Sequence, residues 1–447
     1  MEKERFIVIG GDAAGMSAAS RIRKRRPESD VIVYEAGQYV SYSACGMPFH
    51  IGGVVKDFNS LVHYPVEKFR KERNIDVRLG VRVTAIDRKN REITFKSQGT
   101  TGRDNYDRLV IATGASARVP ENLQGVPNVY TLRTLNDLQG FESALDRVHD
   151  VTIVGAGYIG LELAESMRSR GKTVRIIQHS GRILRGFDKQ LSGAIMDEVL
   201  ANNVQMLMST EITQVEQSGD SLRIGLGNGQ SLNTEMIVVA TGVRPNSDMA
   251  KDAGLEIGVS GTIKVNEYME TSDPLIFAAG DVASSFNMIT GKEVYMPLAT
   301  GSNKSGRIAG ENAAGGRSKF AGIAGTEVVK VFSLEVGKTG LDHDAAVSEG
   351  FDAVSSTITS TSRSSYYPGS TPLTIKMTAD KKSRRVLGAE IIGREGVAKR
   401  IDVVATAIYS KLTVDDMLGV DYSYSPPFAP TWEPILVAAD VLSGKLE

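Results

Sequence analysis

The residue with the clearest chemical potential is Cys45, the only cysteine among 447 residues, in the segment Ser41-Tyr42-Ser43-Ala44-Cys45-Gly46-Met47-Pro48. A lone cysteine is often no more than a small buried apolar side chain. Cys45, however, follows a glycine-rich strand–loop–helix pattern and stands at a Gly-Met-Pro break where a helix should begin. The N–H groups at a helix start stabilise the thiolate, which is the reactive form of the thiol. The segment therefore predicts a nucleophilic sulfur.

The pattern that should position Cys45 begins with the apolar run Phe6-Ile7-Val8-Ile9, which is typical of a buried parallel strand. The loop Gly10–Gly15 follows, then a small-residue helix that ends before Pro27, a second strand Val31–Tyr34, and Glu35. Such a unit places a pyrophosphate at the helix N-terminus and uses the acid for a ribose hydroxyl. Asp12 replaces the second glycine of the fingerprint, so its carboxylate should point away from the phosphate.

The end of the first helix is basic, with Arg21, Arg23, Lys24, Arg25 and Arg26 in close succession. Most of these cations are expected to complement the negative C-terminal end of the helix dipole on a solvated face. Because Arg21 and Lys24 are three residues apart, they share a helix face and could instead meet a phosphorylated substrate near Cys45.

A second, intact glycine loop lies at Gly155-Ala156-Gly157-Tyr158-Ile159-Gly160, between a strand and a helix. Two further strands flank this unit, and both end in Ala-Thr-Gly, at residues 112–114 and 240–242. The whole pattern thus occurs twice. Two dinucleotides are implied in an α/β fold, with one dinucleotide-binding domain inserted into the other.

The nicotinamide selectivity of the second site depends on the strand Val174–Ile177, which ends in Gln178-His179-Ser180 rather than in an acid. An acid there would select NAD by binding the 2′-hydroxyl. Without it nothing repels a 2′-phosphate, and Arg175, His179 and Arg182 could attract one. Alternatively, Gln178 hydrogen-bonds both hydroxyls. We expect NADPH to be accepted alongside NADH.

Two later segments carry further signals. Phe277-Ala278-Ala279-Gly280-Asp281 is an apolar strand that ends in an acid, which either binds a polyol of the first dinucleotide or caps a helix. The tail from about residue 325 is long enough for its own domain. It contains alternating strands at 327–332 and 373–377 and a predicted helix at 402–412.

Composition narrows the function classes. The 52 basic and 53 acidic residues nearly cancel, which argues against a general nucleic-acid binder. One cysteine cannot form an internal disulfide framework. No signal-peptide h-region and no window of ~18 apolar residues is present, so no membrane partner is expected and a cytoplasmic location is predicted. No metal site is expected.

Glu35, Cys45, both Ala-Thr-Gly turns, the intact glycine loop and the Ala-Ala-Gly-Asp segment occur in an order that resembles the FAD-dependent pyridine nucleotide–disulfide oxidoreductases. The resemblance covers essentially the whole chain. It implies an FAD-binding domain at 1–115 and 245–322, an NAD(P)H-binding domain at 116–244 and a C-terminal α+β dimerisation domain at 323–447. The implied cofactor contacts are Gly10, Gly11, Ala14, Gly15, Glu35, Val83, Ala112, Thr113, Gly114, Gly155, Gly157, Tyr158, Ile159, Gly160, Gln178, His179, Gly242, Gly280, Asp281 and Ala299.

Within that family the single cysteine resembles the branch of coenzyme A disulfide reductases, sulfur or persulfide reductases, NADH oxidases and NADH peroxidases. Oxidases and peroxidases carry a histidine where this chain has Ala13, so coenzyme A disulfide reductase is the better match. The two tyrosine motifs could be core or turn residues, but Tyr366 and Tyr424 resemble tyrosines that reach the cysteine from the partner subunit. The implied coenzyme A contacts are Ser17, Arg21, Lys24, Ser41, Ala44, Arg73 and Trp432. Ala44 and Trp432 replace an asparagine and a lysine of relatives.

The resemblance implies a homodimeric enzyme in which NAD(P)H reduces FAD and FAD reduces a mixed disulfide between Cys45 and coenzyme A. Tyr158 would cover the flavin ring until the nicotinamide displaces it. Three alternatives stay open: a polysulfide or persulfide reductase, an NADH oxidase whose Cys45 cycles through sulfenic acid, and a flavin-binding redox sensor.

Overall fold

The computed structural model describes residues 3–184 and 186–447, which form two compact units. The first unit comprises Met1–Val148, Val238–Phe286 and Lys292–Ile323, and the second comprises His149–Ile237, Asn287–Gly291 and Ala324–Glu447. Each unit is therefore built from segments that are far apart in sequence.

The first unit is organised around a five-stranded parallel sheet, in which the apolar side chains of all strands except the edge strand Asp76–Leu79 are almost fully buried. In spatial order its strands are Ile276–Ala278, Arg108–Ile111, Arg5–Ile9, Asp30–Glu35 and Asp76–Leu79. The helices Ala13–Arg25 and Ala299–Ala313 pack against each other with their backbones in contact. A Cβ at Gly306 would lie 2.2 Å from the Ala14 carbonyl oxygen, so only glycine permits this approach.

Smaller elements complete the first unit. Its other strands are Arg82–Asp87, Glu92–Ser97, Thr100–Asn105, Ala115–Ala117, Val129–Tyr130, Val243–Pro245, Ser285–Phe286 and Glu293–Val294. Its other α-helices are Met47–Ile51, Leu135–Leu145 and Asp248–Asp252. Single turns of 3-10 or π-helix are at Ala44–Gly46, Phe58–Leu61, Lys68–Glu72, Glu121–Leu123 and Val259–Gly261.

The second unit begins with the parallel strands Asp150–Val154, Thr173–Ile177 and Val204–Leu207 and the helices Tyr158–Ser169 and Lys189–Ala201. The antiparallel strands Ile212–Ser218, Ser221–Leu226 and Ser231–Thr234 follow, and then the strand Met236–Val239. The second glycine loop therefore occupies the same strand–loop–helix position as the first.

The C-terminal part of the second unit is an antiparallel sheet with helices packed on it. In spatial order its strands are Glu327–Val331, Leu334–Gly340, Val386–Gly393, Pro372–Asp380 and Ala353–Thr361. Its helices are His343–Ser348, Val397–Tyr409, Val414–Leu418 and Pro434–Lys445. This is the predicted α+β domain, so the α/β fold class with two glycine-loop units and a C-terminal α+β part is confirmed.

One boundary differs from the prediction. The helix expected at 402–412 spans Val397–Tyr409. It begins earlier because Val397, Ile401 and Val404 are fully buried on one face, at the i, i+4, i+7 spacing of an amphipathic helix. Within residues 3–184 and 186–447, no helix has the length and apolar character needed to cross a membrane.

Candidate active site

The first glycine loop is shaped to accept a dinucleotide. Gly10 has φ 106°, and a Cβ there would lie 2.1 Å from the Ala112 carbonyl oxygen. Glu35 fixes the loop because its Oε2 accepts from the Gly11 N–H at 2.7 Å and its Oε1 from the Gly37 N–H at 2.6 Å. The helix that follows has no side-chain cap on its first turn. Its N–H groups therefore fit a pyrophosphate.

Asp12 ties this loop to the segment that carries Cys45. Its Oδ1 accepts from the Tyr42 N–H at 3.3 Å, and the Ser41 N–H donates to the Gly11 carbonyl at 3.0 Å. The carboxylate thus turns toward residues 41–43, as the substitution of the fingerprint glycine predicts. Burial raises the pKa of Asp12 to about 6. The loop and the Cys45 segment are therefore held as one structure.

Cys45 is exposed and lies in the 3-10 turn Ala44–Gly46, directly before the helix Met47–Ile51. The predicted helix start is present, but this helix is only five residues long, so its dipole is weak. Gly46 packs closely on Leu61, since a Cβ there would lie 2.6 Å from the end of the Leu61 side chain. The turn thus holds the thiol at the protein surface rather than in the core.

Two cavities that share Ser17, Ser20 and Asn303 lie in the first unit, with volumes of about 430 and 400 Å³. The larger one is lined by four cations, from Arg21, Lys24, Lys304 and Arg307. The smaller one is lined mainly by uncharged groups and by Arg73, with Met16, His63, Tyr64 and Phe69 among its walls and Ser41 at the Cys45 segment.

Five of the seven expected coenzyme A contacts line these cavities: Ser17, Arg21, Lys24, Ser41 and Arg73. Ala44 lines neither cavity, and Trp432 belongs to the second unit, where its side chain is exposed. Lys304 and Arg307 were missed, although their spacing of three residues on a helix signals a shared face.

Ion pairs within the protein decide which of these cations remain available to bind an anion. Glu311 accepts from the Arg21 Nε and, at 2.7 Å, from Arg25 Nη1. Of the four cations in the larger cavity that the structure describes, only Arg21 is bound to a carboxylate. Arg73 donates to the Ser20 hydroxyl at 2.8 Å and lies over the Tyr64 ring. The larger cavity is therefore electropositive.

The Ala-Ala-Gly-Asp segment ends in a fixed carboxylate. Asp281 accepts from Arg133 Nη2 at 2.6 Å and from the Ser302 hydroxyl at 2.7 Å. Residues 281 and 282 form a turn, and Ala283 forms a β-bridge with Ile263, so no helix follows Asp281. The alternative interpretation of Asp281 as a helix cap is therefore wrong.

Other expected contacts of the first dinucleotide also lie in this unit. Gly114 has φ 65° with open space beside it, and Thr113 donates to the Asn246 carbonyl at 2.9 Å. Ala299 begins a helix without a side-chain cap. Val83 is half-buried in the strand Arg82–Asp87.

The second glycine loop is held by Gln178. Its Oε1 accepts from the Ala156 N–H at 3.0 Å, and its Nε2 donates to the Ser180 hydroxyl at 2.7 Å. Gly157 precedes a helix without a side-chain cap, and the space at its Cβ position is open. Arg175 is paired with Asp150 at 2.6 Å. The expectation that Arg175 attracts a 2′-phosphate is therefore wrong, because a carboxylate on the neighbouring strand already occupies it.

Tyr158 begins the helix after this loop. Its ring lies edge-on to Phe187, with 6.5 Å between the ring centroids. Burial, together with the nearby Glu327 carboxylate, raises the pKa of Tyr158 well above its ordinary value. The aromatic contact and the neighbouring Glu327 both belong to the second unit.

Tyr366 and Tyr424 lie close to each other, and both side chains are exposed. The neighbouring Tyr424 hydroxyl raises the pKa of Tyr366, whereas the neighbouring hydroxyls of Tyr366, Thr431 and Ser364 lower the pKa of Tyr424. Tyr424 is therefore the more acidic hydroxyl of the pair.

Comparison with known proteins decides the family. The model of the pyridine nucleotide-disulphide oxidoreductases matches residues 4–306, and the model of their dimerisation domain matches residues 326–434. The chain belongs to the pyridine nucleotide-disulphide oxidoreductase family. It is accordingly an FAD- and NAD(P)H-dependent enzyme with a dimerisation domain.

The relatives agree with this family over nearly their whole length. A CoA-dependent NAD(P)H sulfur oxidoreductase of Pyrococcus furiosus is 39% identical over 447 residues, covering 99% of this chain and 100% of the relative. A coenzyme A disulfide reductase of Staphylococcus aureus is 31% identical over 432 residues, covering 95% of this chain and 96% of the relative.

Two solved structures of similar proteins support the same fold. The reduced Bacillus anthracis CoADR-RHD has a TM-score of 0.96 at 33% identity and covers 100% of this chain and 81% of its own. An NAD-dependent persulfide reductase from A. fulgidus has a TM-score of 0.95 at 35% identity, with 99% and 83% covered. In this oxidoreductase the two uncapped glycine-loop helices fit the two dinucleotides that the family requires.

Proposed function

We propose that this oxidoreductase uses NAD(P)H to reduce coenzyme A disulfide, or a related small disulfide, through a mixed disulfide between Cys45 and coenzyme A. The observation that carries the proposal is the electropositive cavity, which adjoins a second cavity bounded by the Cys45 segment at Ser41. One unit of the fold thus combines an exposed thiol with a binding site for a polyanion.

The two cavities match the two ends of coenzyme A. The adenosine end carries a pyrophosphate and a 3′-phosphate, which Lys24, Lys304 and Arg307 would bind by charge-assisted hydrogen bonds. The uncharged pantetheine arm suits the walls formed by Met16 and Tyr64, which lead toward Ser41. Cavities of this size lie within the range of small-molecule sites.

The cofactor sites are assigned on the same basis. The loop at Gly10–Gly15 with Glu35 and Asp281 would hold FAD, and the loop at Gly155–Gly160 with Gln178 and His179 would hold NAD(P)H. We also propose the three-domain division at residues 1–115 with 245–322, 116–244 and 323–447. The dimer would work in the cytoplasm, where thiols are kept reduced.

The chemistry follows from the lone sulfur. FAD, when bound, accepts the hydride of NAD(P)H and passes two electrons to a sulfur–sulfur bond. The Cys45 thiolate attacks one sulfur of coenzyme A disulfide, forming the Cys45–coenzyme A bond as the original S–S bond breaks. The leaving thiolate takes a proton from Tyr424 of the partner subunit, supported by Tyr366 of the partner subunit. Two electrons then cleave the mixed disulfide, which restores the Cys45 thiolate and releases the second coenzyme A as a thiolate. This thiolate and Tyr424 of the partner subunit each take up a proton, one from the hydride and one from solvent, so one NAD(P)H and one proton yield two thiols.

A second candidate substrate is a persulfide or polysulfide. The relatives at 38–39% identity are sulfur oxidoreductases and a polysulfide/persulfide reductase, and those sulfur oxidoreductases are described as CoA-dependent. The same Cys45 and cavity would serve a coenzyme A persulfide, with hydrogen sulfide as the leaving group.

Parallel assays separate these substrates. NADPH and NADH consumption is measured with coenzyme A disulfide, with polysulfide plus coenzyme A, and with oxygen. We expect turnover of coenzyme A disulfide that Cys45→Ser abolishes while FAD reduction by NAD(P)H remains. Mass spectrometry of the protein without reductant should find coenzyme A on Cys45. Turnover with oxygen alone, or loss of FAD reduction in Cys45→Ser, would contradict the proposal.

A further inference from the structure

A buried ion pair joins the two loops that carry the exposed tyrosines. Arg400 Nε donates to Glu433 Oε1 at 2.5 Å, and both side chains are almost completely buried. The Arg400 guanidinium also donates from Nη2 to the Ser362 carbonyl at 3.0 Å and from Nη1 to the Gly396 carbonyl at 3.1 Å. From its own helix, one side chain thus holds two other segments of the chain, at Ser362 and at Glu433.

These segments lead directly to the tyrosines. Ser362 precedes the loop that bears Tyr366, and Ser364 of that loop donates its N–H to the Pro426 carbonyl at 3.3 Å. Glu433 lies two residues after Thr431, whose hydroxyl is near the Tyr424 hydroxyl and lowers its pKa. The carboxylate of Glu433 also caps the helix Pro434–Lys445 by accepting from the Ile435 N–H.

The chemistry of the pair indicates a role beyond stability. A buried ion pair is rarely more stabilising than apolar residues of the same volume, because both charges must leave water. It does impose a fixed geometry, since a guanidinium offers several donors in one rigid plane. Tyr366 and Tyr424 are themselves largely in solvent, so the contact between their hydroxyls depends on how firmly their loops are held.

We propose that Arg400 and Glu433 are positioning residues for the reaction, which hold the two loops so that the side chains of Tyr366 and Tyr424 lie side by side. This inference rests on the proposed function in one respect, namely that the tyrosine pair protonates the thiolate that leaves at Cys45. The lowered pKa of Tyr424 agrees with it, because the hydroxyls that lower it, those of Tyr366, Thr431 and Ser364, belong to these loops.

The test compares Arg400→Lys and Glu433→Gln with a control, Arg384→Lys, at the ion pair with Asp415 in the same antiparallel-sheet region. Arg400→Lys keeps the charge but loses the planar set of donors, and Glu433→Gln keeps the shape and the helix cap. In the FAD-loaded dimer we expect either change to lower kcat for coenzyme A disulfide by about 10- to 100-fold, as a displaced catalytic group does. The KM for NAD(P)H and kcat of the control should not change.

Two readouts distinguish positioning from general damage. The phenolate absorbance of Tyr424, taken as the difference between each protein and the same protein with Tyr424→Phe, should titrate at higher pH in Arg400→Lys than in the parent. In the Tyr424→Phe background, Arg400→Lys should have no further effect on kcat. If Arg400→Lys does not fold, Glu433→Gln supplies the same two measurements.

An unshifted phenolate titration, or an equal loss of kcat with and without Tyr424, would overturn the positioning role. The phenolate titration needs no substrate. Failure of the parent enzyme to reduce coenzyme A disulfide, with the titration shifted as expected, would therefore refute the proposed function while leaving the positioning of the tyrosines established.

Discussion

Replacement of Asp12 by asparagine should stabilise the protein increasingly as the pH rises. Burial raises the pKa of Asp12 from 3.8 to about 6, and the Glu35 charge adds to this, while the Tyr42 N–H and Arg133 oppose it. A shift of this size corresponds to about 3 kcal/mol. Because the pKa is raised on folding, the folded protein binds the proton more tightly. Stability is therefore lost as the pH rises from about 4 to about 6, and the penalty is constant above that range.

Asparagine keeps the shape of Asp12 and an oxygen that accepts from the Tyr42 N–H, but it carries no charge to desolvate. Linkage gives a penalty of roughly 1.5 kcal/mol at pH 5 and roughly 3 kcal/mol above pH 7 for the aspartate. The gain in unfolding free energy of Asp12→Asn over the parent should therefore grow, between pH 5 and above pH 7, by about half of the full penalty. Any pH-independent effect of burying the amide shifts both values equally and leaves this slope unchanged.

The assay is denaturant unfolding of the FAD-loaded protein at pH 5, 6, 7 and 8, followed by flavin and tryptophan fluorescence. The matched control is Asp57→Asn, because Asp57 likewise accepts a hydrogen bond from a backbone N–H but is exposed. The pH dependence of Asp12→Asn is measured relative to that of this control. The desolvation argument would be refuted if the unfolding free energies of Asp12→Asn and the parent differed by the same amount at pH 5 and pH 8. It would also be refuted if this difference became smaller as the pH rises.

Three further predictions concern the second unit, the cavity and nucleotide selectivity. Burial raises the pKa of Glu390 from 4.5 to about 7, so Glu390→Gln should gain stability relative to the parent as the pH rises between these values, measured by the same unfolding series. Lys24→Ala or Arg307→Ala should raise the KM for coenzyme A disulfide by about 10- to 100-fold, as expected for one lost charge-assisted hydrogen bond, with kcat nearly unchanged in steady-state assays. An unaltered KM would show that the cavity does not bind coenzyme A disulfide. The control is Lys399→Ala, because Lys399 is exposed. Gln178→Glu should raise the KM for NADPH far more than that for NADH, because an acid at this strand end repels the 2′-phosphate; equal changes for both would contradict it.

The sequence was sufficient to predict those features of the fold that are formed by residues contiguous in the chain. Both glycine loops, Glu35 and the position of Cys45 follow from a strand, a tight turn and a helix that are contiguous in the chain, and such a unit has one favourable geometry. The C-terminal helix was found but misplaced, because the predicted range at 402–412 leaves out the buried turn at Val397 and Ile401.

Interactions between distant segments could not be predicted in this way. Glu311 pairs with Arg21 and Arg25 across nearly 290 residues, and Lys304 joins the cavity from the same distant helix. Arg175 is the opposite case, a contact that was predicted from the local sequence and that a distant residue excludes. Its place in the strand that leads to Gln178 suggested a phosphate contact, but the Asp150 carboxylate on the adjacent strand lies 2.6 Å from its guanidinium and forms an ion pair with it.

The lone cysteine explains why a binding cavity should be part of the chemistry. In an enzyme with two cysteines, the second thiol is tethered to the chain and meets the first at a high effective concentration. Here the second sulfur must be brought by the substrate, so its local concentration depends on the affinity of the cations around Lys24 and Arg307. Changes in the cavity should therefore slow turnover only below saturation, whereas changes at Tyr366 or Tyr424 should slow it at every substrate concentration, because proton transfer follows binding. If cavity variants lowered the rate at saturation as well, the cations would be acting on the reacting sulfur and not only on the binding of its carrier.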